Sequence, residues 1–123
     1  MNEPLKTIIL EDDLMARMIL ENFCENHPAI ELKADFDDID EAIEYISKHK
    51  VDLVFLDIHL KNSNGFDLLT YLKPSTQVII TTGDTAISPQ AAKYGLTNIL
   101  LKPITLEQFL WSIRMAESEK ISD

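Results

Sequence analysis

Apolar and polar positions alternate between two periods along this chain, and the alternation itself predicts the architecture. Lys6–Leu10 is a short, mostly apolar run followed by the acids Glu11, Asp12 and Asp13. Asp13 is suited to cap a helix in which Leu14, Met15, Met18, Ile19 and Phe23 recur at helical spacing, with Pro28 marking its end. Over Ile30–Phe36, apolar Ile30, Leu32, Ala34 and Phe36 fall on every second residue, as in a strand nearer a sheet edge. Asp38, with Glu41 three residues on, opens a second helix whose predicted buried stripe is Ile39, Ala42, Ile43 and Ile46. Leu53–Leu56 is continuously apolar, the mark of a central parallel strand covered on both faces.

The second half repeats the pattern. A turn cluster, Asn62-Ser63-Asn64-Gly65, precedes a short helix through Phe66, Leu68, Leu69 and Leu72 that stops before Pro74. Val78–Thr81 reads as the fourth strand. Ser88-Pro89 reads as a helix start and Gly95 as its stop. Ile99–Leu101 is the fifth strand. Thr105 then caps a last helix, with Leu106, Phe109, Leu110 and Ile113 predicted to face inward and a polar tail fraying from Glu117. Five βα units imply an α/β fold: a parallel sheet with helices on both faces, three layers in all. Right-handed crossovers make the doubly wound flavodoxin-like order 2-1-3-4-5 the simplest arrangement. At 123 residues the chain fits one domain, with a core over about 6–116 and a tail over 117–123.

Composition narrows the function. Hydrophobic residues make up 46% of the chain, enough for a core, yet no apolar run approaches a membrane span. The N-terminus lacks the pattern of a secretory signal. Cys24 is the only cysteine and reads as a small buried hydrophobe in a reducing compartment, so a cytoplasmic location is expected. A formal net charge of −10, with no basic run longer than Lys48-His49-Lys50, argues against nucleic-acid binding by this chain alone.

Placed on the predicted sheet, five polar residues gather at the carboxyl ends of the strands. Glu11 and Asp12 follow strand 1, Asp57 ends strand 3, Thr82 follows strand 4 and Lys102 follows strand 5. Strands 1 and 3 are neighbours at the switch point, where ligands bind in such sheets. Three carboxylates together repel one another, and a hard dication such as Mg²⁺ (or Mn²⁺) relieves this through oxygen ligands. A carboxylate beside such an ion is suited to attack phosphorus, while an ammonium and a hydroxyl share the phosphoryl oxygens.

Four segments in order resemble those of response-regulator receiver domains of bacterial two-component systems. They are Ile8-Ile9-Leu10-Glu11-Asp12-Asp13, then Asp52-Leu53-Val54-Phe55-Leu56-Asp57 with Gly65 eight residues on, then Val78-Ile79-Ile80-Thr81-Thr82-Gly83, and Leu101-Lys102-Pro103. The likeness covers about Lys6 to Ala116 and is greatest to receivers that precede LytTR-type DNA-binding domains. It implies a phosphoacceptor switch rather than an enzyme, and a phosphoprotein of a phosphorelay. Asp57 would accept a phosphoryl group from a sensor histidine kinase or a histidine phosphotransfer domain. Glu11, Asp12, Asp57 and the backbone carbonyl of His59 would hold the metal. Thr82 and Lys102 would bind the phosphoryl group, with small Gly83 leaving the pocket open to small donors, and the Lys102–Pro103 peptide bond would be cis.

The chain departs from the family at two positions. Receivers commonly carry proline where Lys61 stands, so a more mobile loop after Asp57 is expected. They usually carry an aromatic ring where Ile99 stands, which puts the usual readout through strand 5 in doubt.

Other residues carry weaker signals. His59, two residues past Asp57, reads as a solvated loop histidine; the sharper reading has it tune dephosphorylation by ordering or obstructing water. His27 and His49 are expected to face water. Trp111 and Met115, four apart and off the main stripe of the last helix, are expected to pack on the preceding helix, with a partner or homodimer surface as the other reading. The competing functions are a pseudo-receiver that only binds proteins and an aspartate-nucleophile phosphatase. The phosphatase is disfavoured because such enzymes place the nucleophile after strand 1 with another Asp two residues later. A flavin-binding protein is weaker still, since the turn after strand 1 is acidic and no glycine-rich phosphate loop is present.

Overall fold

The computed structural model describes residues 3–84, 91, 93–96 and 98–122, with side chains through residue 119. Five strands, β1 (Leu5–Leu10), β2 (Ile30–Phe36), β3 (Leu53–Asp57), β4 (Gln77–Thr82) and β5 (Ile99–Leu101), form one sheet in the order β2-β1-β3-β4-β5. Every pairing is parallel. Among the described residues, helices α1 (Leu14–Glu25), α2 (Ile39–Lys48) and α3 (Leu106–Ser122) and a 3₁₀ helix over Gly65–Tyr71 accompany the sheet. The expected helix start at Ser88-Pro89 lies outside the described residues.

Residue alternation explains the layers. Successive side chains of a strand point to opposite faces. Leu53 and Phe55 of β3 therefore join Leu5 and Ile9 of β1 in a core under α1 and α3, with Leu20, Cys24, Phe109 and Ile113. Val54 and Leu56 join Ile8 and Leu10 in a second core under α2 and the 3₁₀ helix, with Ala42, Ile46 and Leu68. All five residues of β3 are buried, as a strand covered on both faces requires, whereas edge strand β2 alternates. Phe109 stacks on Phe55 at 5.7 Å between ring centroids and meets Phe23 at 5.3 Å. Cys24 is buried, and burial pushes its thiol up to about 12, which leaves it inert as expected.

The predicted caps form. Asp13, Asp38 and Thr105 accept from the backbone N–H groups of Ala16, Glu41 and Gln108 at 3.0, 3.1 and 3.2 Å. Gly95 has φ 71°, the left-handed conformation that closes a helix C-terminus.

Five expectations change. On α1 the buried positions are Leu20 and Cys24, while Leu14, Met15 and Met18 are exposed, Met15 at 68%. On α3 the inward stripe is Phe109, Ser112, Ile113 and Ala116, and Leu106 and Leu110 face outward. The tail does not fray at Glu117: α3 runs on to Ser122, since no Gly or Pro interrupts those residues. Trp111 is 57% exposed, so most of its ring packs on no described element, and Met115 is half-buried. His49 is exposed and stacks on Tyr45. His27, expected in water, is half-buried: its Nδ1 accepts from Ala29 N–H at 3.0 Å and its ring meets Phe109 edge-on.

Candidate functional site

The β1–β3 pairing sets Leu10 beside Leu56, so the residues that follow each strand emerge together at the switch point. Glu11, Asp12 and Asp57 each bring a carboxylate oxygen within 4.8 Å of the other two. Glu11 is 0% exposed and Asp57 2% exposed, while Asp12 is half-buried at the rim. Lys102 reaches in from the end of β5. Its Nζ donates to Asp57 Oδ2 at 3.2 Å and lies 2.8 Å from Glu11 Oε1. Its ion pair with Lys102 aside, Glu11 Oε1 is a buried oxygen without a hydrogen-bond partner. Its other oxygen, Oε2, accepts from Asp13 N–H at 3.1 Å.

The electrostatics follow from burial and crowding. Burial raises the Glu11 pKa to about 7; its hydrogen bond and repulsion with Asp57 add to this, and Lys102 and the Asp13 N–H only partly offset it. Burial alone would lower the Lys102 pKa, but Glu11 and Asp57 more than reverse that and hold it above the ordinary lysine value. One ammonium thus lies against two buried carboxylates, and the set is short of positive charge.

Backbone amides hold the rest. Asp57 Oδ1 accepts from His59 N–H at 2.9 Å. Thr82 is 5% exposed and its Oγ1 accepts from Asp84 N–H at 3.1 Å. Gly83 is exposed beside it, and a side-chain carbon there would meet nothing within 4 Å. Gly65 is pressed against the phosphoacceptor segment: a Cβ there would collide with the Asp57 carbonyl oxygen and lie 2.8 Å from Ile58 Cα. The Lys102–Pro103 bond is cis. Ile99 is half-buried against a small cluster of Ile58, Phe66, Ile80 and Ala91.

The structure thus gathers all three acids and Lys102, and sets Thr82 and Gly83 at the end of neighbouring β4; Trp111 and Met115 lie on α3 and touch none of these in any described contact. Three participants escaped sequence reasoning. The Asp84 carboxylate pairs with His59 Nε2 at 2.8 Å across the mouth of the site, both side chains exposed. Arg17 donates to the Glu11 carbonyl at 2.9 Å. The backbone N–H of Lys61 donates to Asp12 Oδ2 at 2.6 Å. Asp84 was within reach of the topology, being two residues past Thr82 at the same sheet edge; no sequence signal pointed to the other two. Because Lys61 is not proline, it has the N–H that ties this loop to Asp12.

Residues 7–114 match the response regulator receiver domain, and the chain belongs to that family of two-component signal transduction proteins. The chain is similar to the sensory transduction protein LytT of Enterococcus faecalis, 32% identical over 94% of this chain and 49% of that protein. LytT of Bacillus anthracis is 28% identical over 96% of this chain and 49% of its own length. The chain therefore spans about half the length of the curated relatives it matches. Among solved structures, the response regulatory domain of mrkE from Klebsiella pneumoniae superposes with a TM-score of 0.85 at 21% identity, covering 97% of this chain and 100% of that one. A CheY-like receiver from Methanospirillum hungatei gives 0.83 at 20% identity, covering 98% of each. These confirm the flavodoxin-like receiver fold. No helix among the described residues is long and apolar enough to cross a membrane.

Proposed function

We propose that this receiver domain is a phosphorylation switch in which Asp57 is the phosphoacceptor. The observation that carries this reading is the buried Glu11–Asp57–Lys102 cluster: two carboxylates against one ammonium, with Asp12 at the rim. The donor set fits Mg²⁺ or Mn²⁺. It consists of hard oxygens, it lacks positive charge, and buried Glu11 Oε1 has no hydrogen-bond partner. Glu11, Asp12, Asp57 and the His59 carbonyl would hold the ion. When bound, it supplies charge neutralisation for the incoming phosphoryl oxygens.

The chain's own residues do the rest. An Asp57 oxygen attacks phosphorus, the bond from phosphorus to the donor breaks, and the donor leaves with that electron pair: a histidine imidazole, or acetate when acetyl phosphate is used. The Lys102 ammonium and Thr82 hydroxyl bind phosphoryl oxygens, which requires Thr82 to turn its hydroxyl from the Asp84 amide toward Asp57. Gly83 leaves the approach open to a small donor. A protein donor, a sensor histidine kinase or histidine phosphotransfer domain, is supported by exposed Leu14, Met15 and Met18 on α1, the helix that begins beside Glu11 and Asp12. The added charge shifts a two-state equilibrium that controls an output, and the likeness to LytT supports transcription as that output in a longer protein. Exposed Trp111, with Leu106 and Leu110, supports self-association upon phosphorylation. The net charge of −10 supports a domain that does not itself bind nucleic acid, acting in the cytoplasm as a phosphoacceptor and not as an enzyme on other substrates.

The test is incorporation of hydroxylamine-labile phosphate from acetyl phosphate, with and without Mg²⁺, in wild type and Asp57→Asn. Magnesium-dependent labelling lost in Asp57→Asn is expected. Absence of both labelling and Mg²⁺ binding would replace this reading with a protein-binding pseudo-receiver, which the missing ring at Ile99 keeps in play.

A further inference from the structure

Two backbone groups of the loop after β3 donate to the acidic cluster: His59 N–H to Asp57 Oδ1 at 2.9 Å, and Lys61 N–H to Asp12. The second contact, to Oδ2 at 2.6 Å, spans 49 residues of sequence. Asp12 is the least enclosed of the three acids, and no helix cap or ion pair is described for it, unlike Asp13 and Glu11. A carboxylate at the rim of a site has rotameric freedom, and a bound cation would have to remove it. The Lys61 amide removes it beforehand and occupies one of the two oxygens. The same loop is closed on itself by the pairing of His59 with Asn64 and by Gly65 N–H donating to the Ile58 carbonyl at 3.3 Å. The amide is thus presented from a braced turn.

We propose that the backbone N–H of Lys61 is a positioning group that orients Asp12 toward a divalent cation, so that cation affinity depends on the amide and not on the lysine side chain. The inference rests on the metal-binding reading above. Outer partners of this kind fix a ligand's orientation, and their loss costs on the order of 10–100-fold in affinity. Proline is the one residue that deletes the donor while keeping a side chain at the position. Alanine deletes the ammonium and keeps the donor.

The experiment is calorimetric titration of Mg²⁺ into wild type, Lys61→Ala and Lys61→Pro, with thermal melts to verify folding. The expected result is a Kd within about twofold of wild type for Lys61→Ala and raised roughly tenfold or more for Lys61→Pro. Equal affinity in Lys61→Pro overturns the inference, and so does an equal loss in Lys61→Ala, which would place the effect in the ammonium. A second measurement needs neither metal nor the proline variant. In metal-free protein the Lys61 amide proton should exchange slowly in wild type and quickly in Asp12→Ala; fast exchange in wild type overturns the inference. Failure of wild type to bind Mg²⁺ at all would instead remove the metal-binding reading, and this inference with it.

Discussion

At the scale of single residues, Glu11 is the most consequential buried group. Its pKa rises from 4.5 to about 7, chiefly because burial disfavours the charged form. The folded state therefore holds this proton more tightly than the unfolded state does. Without metal, Glu11 lowers stability as pH climbs from about 4.5 through 7, by roughly 3 kcal/mol at most for a shift of that size. Urea unfolding of metal-free protein at pH 5 and pH 7.5 measures this. Wild type should lose stability relative to Glu11→Gln over that interval, and parallel pH profiles for the two proteins would refute the assignment. Gly65 carries a second prediction. Its Cβ position is filled by the backbone of Asp57 and Ile58, neither of which is the end of a flexible side chain. Gly65→Ala should cost about 1–3 kcal/mol in chemical denaturation, the usual range for overpacking. The meeting of Glu11, Asp12, Asp57 and Lys102 was legible from sequence, because they follow or end apolar runs whose ends the topology brings together. The reach of Lys102 to two acids at once, and the Asp12–Lys61 contact, were not, since both depend on side-chain and loop conformation.

Among the elements, the helices show where pattern reading stops. The spacing on α1 singled out Leu14, Met15, Met18, Ile19 and Phe23, of which Phe23 packs against the core while Leu14, Met15 and Met18 are exposed. The sheet instead takes the face that carries Leu20 and Cys24. The same holds on α3, where Ser112 is wholly buried with its Oγ donating to the Phe109 carbonyl at 2.7 Å. Strands were read more accurately, since a period of two leaves only one choice of face. Between elements, the His59–Asp84 pair joins the β3 and β4 loops across the site mouth. Both partners are exposed, so the pair is worth no more than about 1 kcal/mol to folding. Its place beside Asp57, whose Oδ1 accepts from the His59 N–H, predicts that it slows water's approach to a phosphorylated Asp57. Asp84→Ala should leave stability within about 1 kcal/mol and shorten the aspartyl-phosphate lifetime roughly two- to fivefold. His59→Ala should do the same, and the double variant should add nothing further. Equal lifetimes in all four proteins would leave His59 as a solvated loop residue.

For the whole molecule, the balance is between a strongly negative surface and an apolar face on α3. A net charge of −10 makes two copies repel at long range. Leu106, Leu110 and Trp111 are nevertheless exposed on α3, and apolar area of this kind is normally covered by a partner. Association through such a face gains from burial and loses to repulsion, so added salt, which screens the repulsion, should strengthen it. Sedimentation of the phosphorylated protein should show self-association that increases between 50 and about 200 mM NaCl, where the screening length becomes short against the size of the domain. Trp111→Ala should abolish it with little effect on folding, because an exposed ring contributes little to the core. If wild type and Trp111→Ala sediment alike, with phosphate on Asp57 in both, this face is not a contact between copies. The exposed ring would then be left as a surface for a different partner, or as an ordinary exposed aromatic.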